Sequence, residues 1–142
     1  MKYVRLVLGV LVALYAVMGL YNFGVSAAVK AGAMALPQPL ARYAPLVEAI
    51  AWWQIVALVV MLAIYLAAAW RLLRGGKAFA PYLVAVVLDT ALWLYAKTMP
   101  AYQQVFSPAD QQMEYAVMGA VVAGLLVTWW SERTQAPTAA AA

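Results

Sequence analysis

Apolar positions in this chain are continuous rather than periodic, and they fall into four runs: about 4–23, 50–70, 79–96 and 113–130. At 1.5 Å of rise per residue, each is long enough for a helix to cross a hydrocarbon core about 30 Å thick. Short connections rich in Pro, Gly and charge separate the runs. The pattern predicts an all-α fold: an integral membrane four-helix antiparallel bundle over residues 1–133, both termini cytoplasmic. Neighbouring runs joined by few residues are expected to pack in sequence order. The segment 134–142 is made of small residues of low complexity and is expected to be a disordered tail.

The connections refine this picture. The opening Lys2-Tyr3-Val4-Arg5 before an apolar run is also how a cleavable signal peptide starts, and Val25-Ser26-Ala27 offers cleavable small residues. The run outlasts a usual signal core, so a retained first helix is expected. Between the first two runs, Pro37, Pro39 and Pro45 should stop helices and extend the backbone before them. The Ala-rich stretch Ser26–Leu36 reads either as an interfacial helix or as an irregular loop. Gly75 and Gly76, flanked by Arg71, Arg74 and Lys77, form a tight basic turn, without the spacing of a phosphate-binding loop. Ser107-Pro108-Ala109-Asp110 marks the start of the last helix, with Ser107 as cap and Pro108 at the first helical position.

Charge sets the orientation. With the amino terminus inside, the cytoplasmic side holds six basic residues: Lys2, Arg5, Arg71, Arg74, Lys77 and Arg133. The outer side holds three, Lys30, Arg42 and Lys97, offset by Glu48, Asp110 and Glu114. That asymmetry follows the positive-inside rule. Aromatic residues agree, with Trp52, Trp53, Tyr95 and Tyr115 at the outer interface and Tyr3, Trp70, Trp129 and Trp130 at the inner one. The basic residues gather at helix ends rather than in a phosphate-binding patch, so the lipid bilayer is the expected partner and nucleic acid is not.

Composition narrows the chemistry. The chain of 142 residues is 68% hydrophobic and 10% charged, with no Cys, no His and five acids. Disulfides, thiol redox pairs, Cys-ligated metals, bis-His haem and the commonest general base are all absent. The acids are too scattered for a carboxylate metal cluster. No catalytic residue, cofactor or metal site is expected, and the protein is not expected to be an enzyme.

One residue stands apart. Asp89 lies mid-way along the third run, where an ionised carboxylate costs roughly 2.5–3.5 kcal/mol on insertion scales and must face protein or water. It reads either as a proton or cation site or as a neutral acid fixing helix register. Eight residues, about 12 Å, separate it from the outer end at Lys97. The same depth falls near Tyr15, Leu58 and Val121, of which Tyr15 alone is polar and can donate to a carboxyl. With no cation of the chain at that level, Asp89 is expected to rest protonated, bonded to Tyr15 or to backbone. Thr90 points elsewhere, while Gln54 and Asn22 lie nearer the outer surface and could line a polar pocket above Asp89. Tyr15, Met18 and Asn22 share one helix face, as do Tyr82, Asp89 and Trp93; an ordinary helix seam is the simpler reading of both, a ligand-lining stripe the other.

Small residues mark close-packing faces, above all the overlapping pairs Gly119/Ala123 and Ala120/Gly124, with Gly9/Ala13 and Ala63/Ala67 besides. They could serve packing within the chain or between copies.

In run order and length, with Arg5-Leu6-Val7-Leu8-Gly9 opening the first run and Val47-Glu48-Ala49 before the second, the chain somewhat resembles DoxX-like small bacterial membrane proteins. That resemblance implies a multi-pass protein of the bacterial inner membrane. In size it is also similar to small multidrug resistance transporters, dimers built around a glutamate in the first helix. Here the first run has no acid, so no site is carried over and the chain is assigned to neither family. The leading expectation is an accessory or scaffolding subunit of a membrane complex or homo-oligomer. The alternative is a small dimeric proton-coupled or cation transporter using Asp89.

Overall fold

A computed structural model describes residues 2–135, all of it helices and their connections. The long helices are α1 (Lys2–Lys30), α3 (Trp52–Leu73), α4 (Phe79–Lys97) and α6 (Pro108–Gln135). All four are long and apolar enough to cross a membrane. Their outward faces carry Val10, Leu14, Val56, Val60, Val84, Val87 and Leu126, each 45% or more exposed, a surface that suits lipid rather than water. Two short helices, α2 (Ala44–Ala49) and α5 (Pro100–Val105), and a 3-10 turn at Gln38–Tyr43 fill the connections.

Each run is extended by residues that hydropathy alone leaves out. The first is expected to end near Phe23, but α1 continues to Lys30, because Gly24–Lys30 holds no proline and its Ala and Val outweigh the single Gly24. It stops at Gly32, whose φ of +73° lets Gly32 N and Ala33 N return to Val29 O and Ala28 O. The same closure ends α3: Gly75, at φ +74°, donates to Leu72 O while Gly76 N donates to Arg71 O at 2.8 Å. The last helix opens as its sequence predicts, with Ser107 Oγ facing Asp110 N and Asp110 Oδ2 accepting from Ser107 N at 3.0 Å. It runs to Gln135, two residues into the segment expected as tail; 136–142 lie outside the described residues.

The prolines behave differently from expectation. Ser26–Leu36 forms no helix of its own, being shared between the end of α1 and a turn. The short helices come instead from the proline-bearing stretch, with Pro39, Pro45 and Pro100 in the first turns of the 3-10 segment, α2 and α5. A first-turn proline loses no intrahelical bond, so it starts a helix as readily as it stops one.

Small residues govern the packing. Arg5, Gly9, Val12 and Ala16 form the buried stripe of α1, at alternating spacings of four and three. A Cβ on Gly9 would come within 3.0 Å of Leu73, and one on Gly19 within 2.7 Å of Leu62, so α1 and α3 pack closely. Trp53 meets Tyr95 and Tyr65 meets Tyr82 between α3 and α4. Between α4 and α6, Tyr82 donates to Val121 O at 3.1 Å and Trp93 to Glu114 Oε2 at 3.0 Å. α1 and α6 touch sparsely, with Leu8 against Gly124.

One end of the bundle is tied by polar bonds. Arg5 is buried and donates to Gly76 O. Glu132 Oε1 accepts from Ala78 N at 2.5 Å and Phe79 N at 2.9 Å, capping the start of α4 from another helix. The other end is covered by α2 and α5, where Tyr43, Tyr102 and Phe106 stack and Lys30 Nζ donates to Glu48 O at 3.0 Å.

Candidate functional site

Beneath α2 and α5, the four long helices enclose a cavity of about 470 Å³. Its wall is mostly apolar, and five of the seven methionines line it: Met18, Met61, Met99, Met113 and Met118. Met18 of α1 and Met113 of α6, both in the lining, are 65% and 67% exposed, and these two helices touch only sparsely. A second hollow of about 310 Å³ adjoins it, sharing Asn22, Phe23, Leu46, Ile50 and Phe106.

All four candidate residues, Asp89, Tyr15, Gln54 and Asn22, line this cavity. Asp89 is 7% exposed. Its Oδ2 accepts from Tyr15 Oη at 2.8 Å, the pairing that depth arithmetic picks out. Gln54 uses Oε1 to accept from Ala51 N at 2.7 Å, holding the start of α3, and turns Nε2 toward Met99 Sδ at 3.5 Å. The side chain of Asn22 makes no hydrogen bond among the described residues. Thr90 bonds back to Val86 O at 2.8 Å and takes no part.

A second tyrosine completes the Asp89 site. Tyr65 Oη donates to the same Oδ2 at 2.8 Å, and its ring meets Tyr15 and Tyr82 edge-on at 5.3 and 5.8 Å. Depth arithmetic names Leu58 instead, since Tyr65 lies seven residues further along α3. Side chains lean toward the N-terminus of their own helix, so a long side chain reaches a level displaced from its own Cα. Tyr65 and Asp89 meet across a Cα offset that rise per residue alone treats as a separation. Including side-chain reach and lean would have found it.

Glu114 is the second acid of the cavity, and it repeats the arrangement. Trp93 Nε1 donates to Glu114 Oε2 at 3.0 Å and Tyr102 Oη donates to the same oxygen. Burial and the adjacent Glu114 carboxyl push the Tyr102 phenol up. Among the described residues no donor reaches Asp89 Oδ1 or Glu114 Oε1, and neither oxygen is sealed from the cavity. No three His, Cys, Asp or Glu side chains come together among the described residues.

The other stripe residues divide. Met18 and Trp93 line the cavity with Asp89, whereas Tyr82 lies deeper in the core, bonded to Val121 O. Among the small residues of α6, Gly124 is buried against Tyr82 and Leu8, while Gly119, Ala120 and Ala123 face outward.

Comparison with known protein families, curated proteins and solved structures finds no match for this chain. The DoxX-like likeness therefore rests on run order and the quoted residues alone.

Proposed function

We propose that this chain is a non-enzymatic, multi-pass membrane protein that admits a small, largely apolar molecule from the bilayer into the cavity, with Asp89 as its polar anchor. The observation that carries this reading is the Asp89 carboxyl itself, with Oδ2 held by two tyrosines and Oδ1 left open to an apolar cavity. A carboxyl kept only for helix register would gain from bonding both oxygens inside the bundle, because an unmet acceptor in hydrocarbon is costly. The volume lies within the roughly 300–1,000 Å³ typical of small-molecule sites. Methionine walls add an adaptable, polarisable surface.

The accompanying arrangement is an antiparallel bundle with cytoplasmic termini in a bacterial inner membrane. The six-to-three split of basic residues supports the orientation. At two of the helix ends Arg74 stacks on Trp70 and Arg133 on Trp129, each at 4.1 Å, which suits a membrane interface. Transport of the bound molecule, coupled to a proton or cation at Asp89 in a dimer, is the active form of the same reading. Flux into liposomes that is equal for wild type and Asp89→Asn would exclude it.

The test of the binding reading is thermal stabilisation by 1-decanol of protein in nanodiscs. Saturable stabilisation, lost in the cavity-filling variants Leu58→Trp and Met118→Trp, is expected. Stabilisation of both fillers equal to that of wild type would overturn it.

A second reading, an accessory subunit of a complex or homo-oligomer, draws on the outward Gly119, Ala120 and Ala123, which would let another helix approach α6 closely. Migration as a lone monomer after gentle extraction would count against it.

A further inference from the structure

Asp89 and Glu114 stand in the same cavity and are built alike. Each gives one oxygen to two aromatic donors, Tyr15 and Tyr65 on Asp89 Oδ2, Trp93 and Tyr102 on Glu114 Oε2. Each keeps its second oxygen free of protein donors and open to the cavity. Paired donors on one oxygen fix the rotation of a carboxyl, so the free oxygen is held in place before any ligand arrives. Trp93, which holds Glu114, follows Asp89 by four residues of α4, about 6 Å of rise. The two acceptors are therefore stacked along the cavity, Asp89 deeper and Glu114 nearer the cover formed by α2 and α5.

The lining contains two carboxyls and no Lys or Arg. Lys97, at the end of α4, is engaged outside the lining, donating to Tyr115 Oη at 2.6 Å and lying 4.4 Å over the Trp93 ring. Two acids without a counter-ion, in a wall of Met, Leu and aromatic rings, match one kind of visitor: a cation that can donate hydrogen bonds and carries an apolar body. The rings of Tyr15, Trp93, Tyr102 and Phe106 also line the cavity and favour a cation over an anion or a neutral head.

Building on the cavity reading above, we propose that the ligand is a lipophilic primary or secondary amine, bound as its ammonium. Glu114 Oε1 receives it near the cover and Asp89 Oδ1 holds it deeper, with the apolar body among the methionines. Entry is lateral, between α1 and α6, where Met18 and Met113 stand exposed on either side of the cavity.

The test compares decylammonium with 1-decanol, equal in apolar body and different in head, on full-length protein in nanodiscs of zwitterionic lipid. Wild type should bind the ammonium at least tenfold more tightly than the alcohol. Asp89→Asn and Glu114→Gln should each erase most of that preference, lowering affinity for the ammonium more than for the alcohol. Glu114→Gln keeps the test open should Asp89→Asn fail to fold. Equal affinity for both heads, or a preference untouched by both substitutions, would overturn the amine assignment while leaving the cavity reading in place. Absence of saturable binding by either probe would overturn both.

Discussion

Tyr65 and Asp89 meet at 2.8 Å across the α3–α4 contact, and Tyr15 reaches the same carboxyl oxygen from α1 at the same distance. One oxygen thereby joins three of the four long helices. The bond network makes the register of α1, α3 and α4 interdependent at the level where the cavity begins.

That interdependence is measurable. Tyr15→Phe and Tyr65→Phe should each cost about 1 kcal/mol of unfolding stability in mixed micelles, since each removes one hydrogen bond and little volume. Combined with Asp89→Asn, the double-variant cycles should show coupling of at least about 0.5 kcal/mol. Strictly additive losses would mean that the tyrosines do not act through Asp89.

Gly119 and Gly124 belong to one small-residue pattern but occupy opposite faces of α6. A Cβ at Gly124 would lie 2.5 Å from Tyr82 Oη, which is itself tied to Val121 O, so it could not yield freely. Gly124→Ala should therefore cost about 1–3 kcal/mol by overpacking. Gly119→Ala meets nothing within 4 Å and should change monomer stability by less than about 0.5 kcal/mol. The same denaturation assay on both variants checks the contrast, and equal losses would contradict this assignment of faces.

Glu132 caps α4 from a different helix, covering two backbone donors of which Ala78 N belongs to a fully buried residue. Glu132→Ala should cost about 1–2 kcal/mol and speed amide exchange at Ala78 and Phe79. Glu132→Gln retains an acceptor and should cost less. Unchanged exchange at both amides in Glu132→Ala would show that the cap does not hold α4.

Orientation is checked by cysteine accessibility at Gly76→Cys and Gln104→Cys, both at exposed positions on opposite ends of α4. A membrane-impermeant reagent added outside intact cells should label Gln104→Cys alone. Labelling of Gly76→Cys alone would reverse the proposed topology.

Several of these features were legible in the sequence. Four uninterrupted apolar runs gave the long helices, because a helix long enough to cross hydrocarbon needs little from its neighbours to be recognised. Depth along the runs gave the Tyr15–Asp89 pair, and Ser107-Pro108 gave the start of α6. Other features depend on three-dimensional placement that linear spacing does not carry. Tyr65 was hidden by side-chain lean, and Glu132 by its distance in sequence from the helix it caps. Pro39 and Pro45 read as breaks because a first-turn proline and a helix-ending one look alike without the hydrogen-bond pattern. Glu114, counted only as an outer charge, became part of the cavity once α4 brought Trp93 beside it.

The central claim, that the cavity at Asp89 admits an apolar molecule from the bilayer, is tested most directly by photolabelling with a decyl diazirine in nanodiscs. Saturable labelling is expected at Met18, Leu58 and Met118, competed by unlabelled decyl compound, with the saturable part at Met18 and Met118 lost in Leu58→Trp. Non-saturable labelling at the outward Val10 and Leu126 should continue unchanged as the lipid-facing background. Labelling of Met18, Leu58 and Met118 that neither saturates nor responds to the cavity-filling substitution would contradict the account.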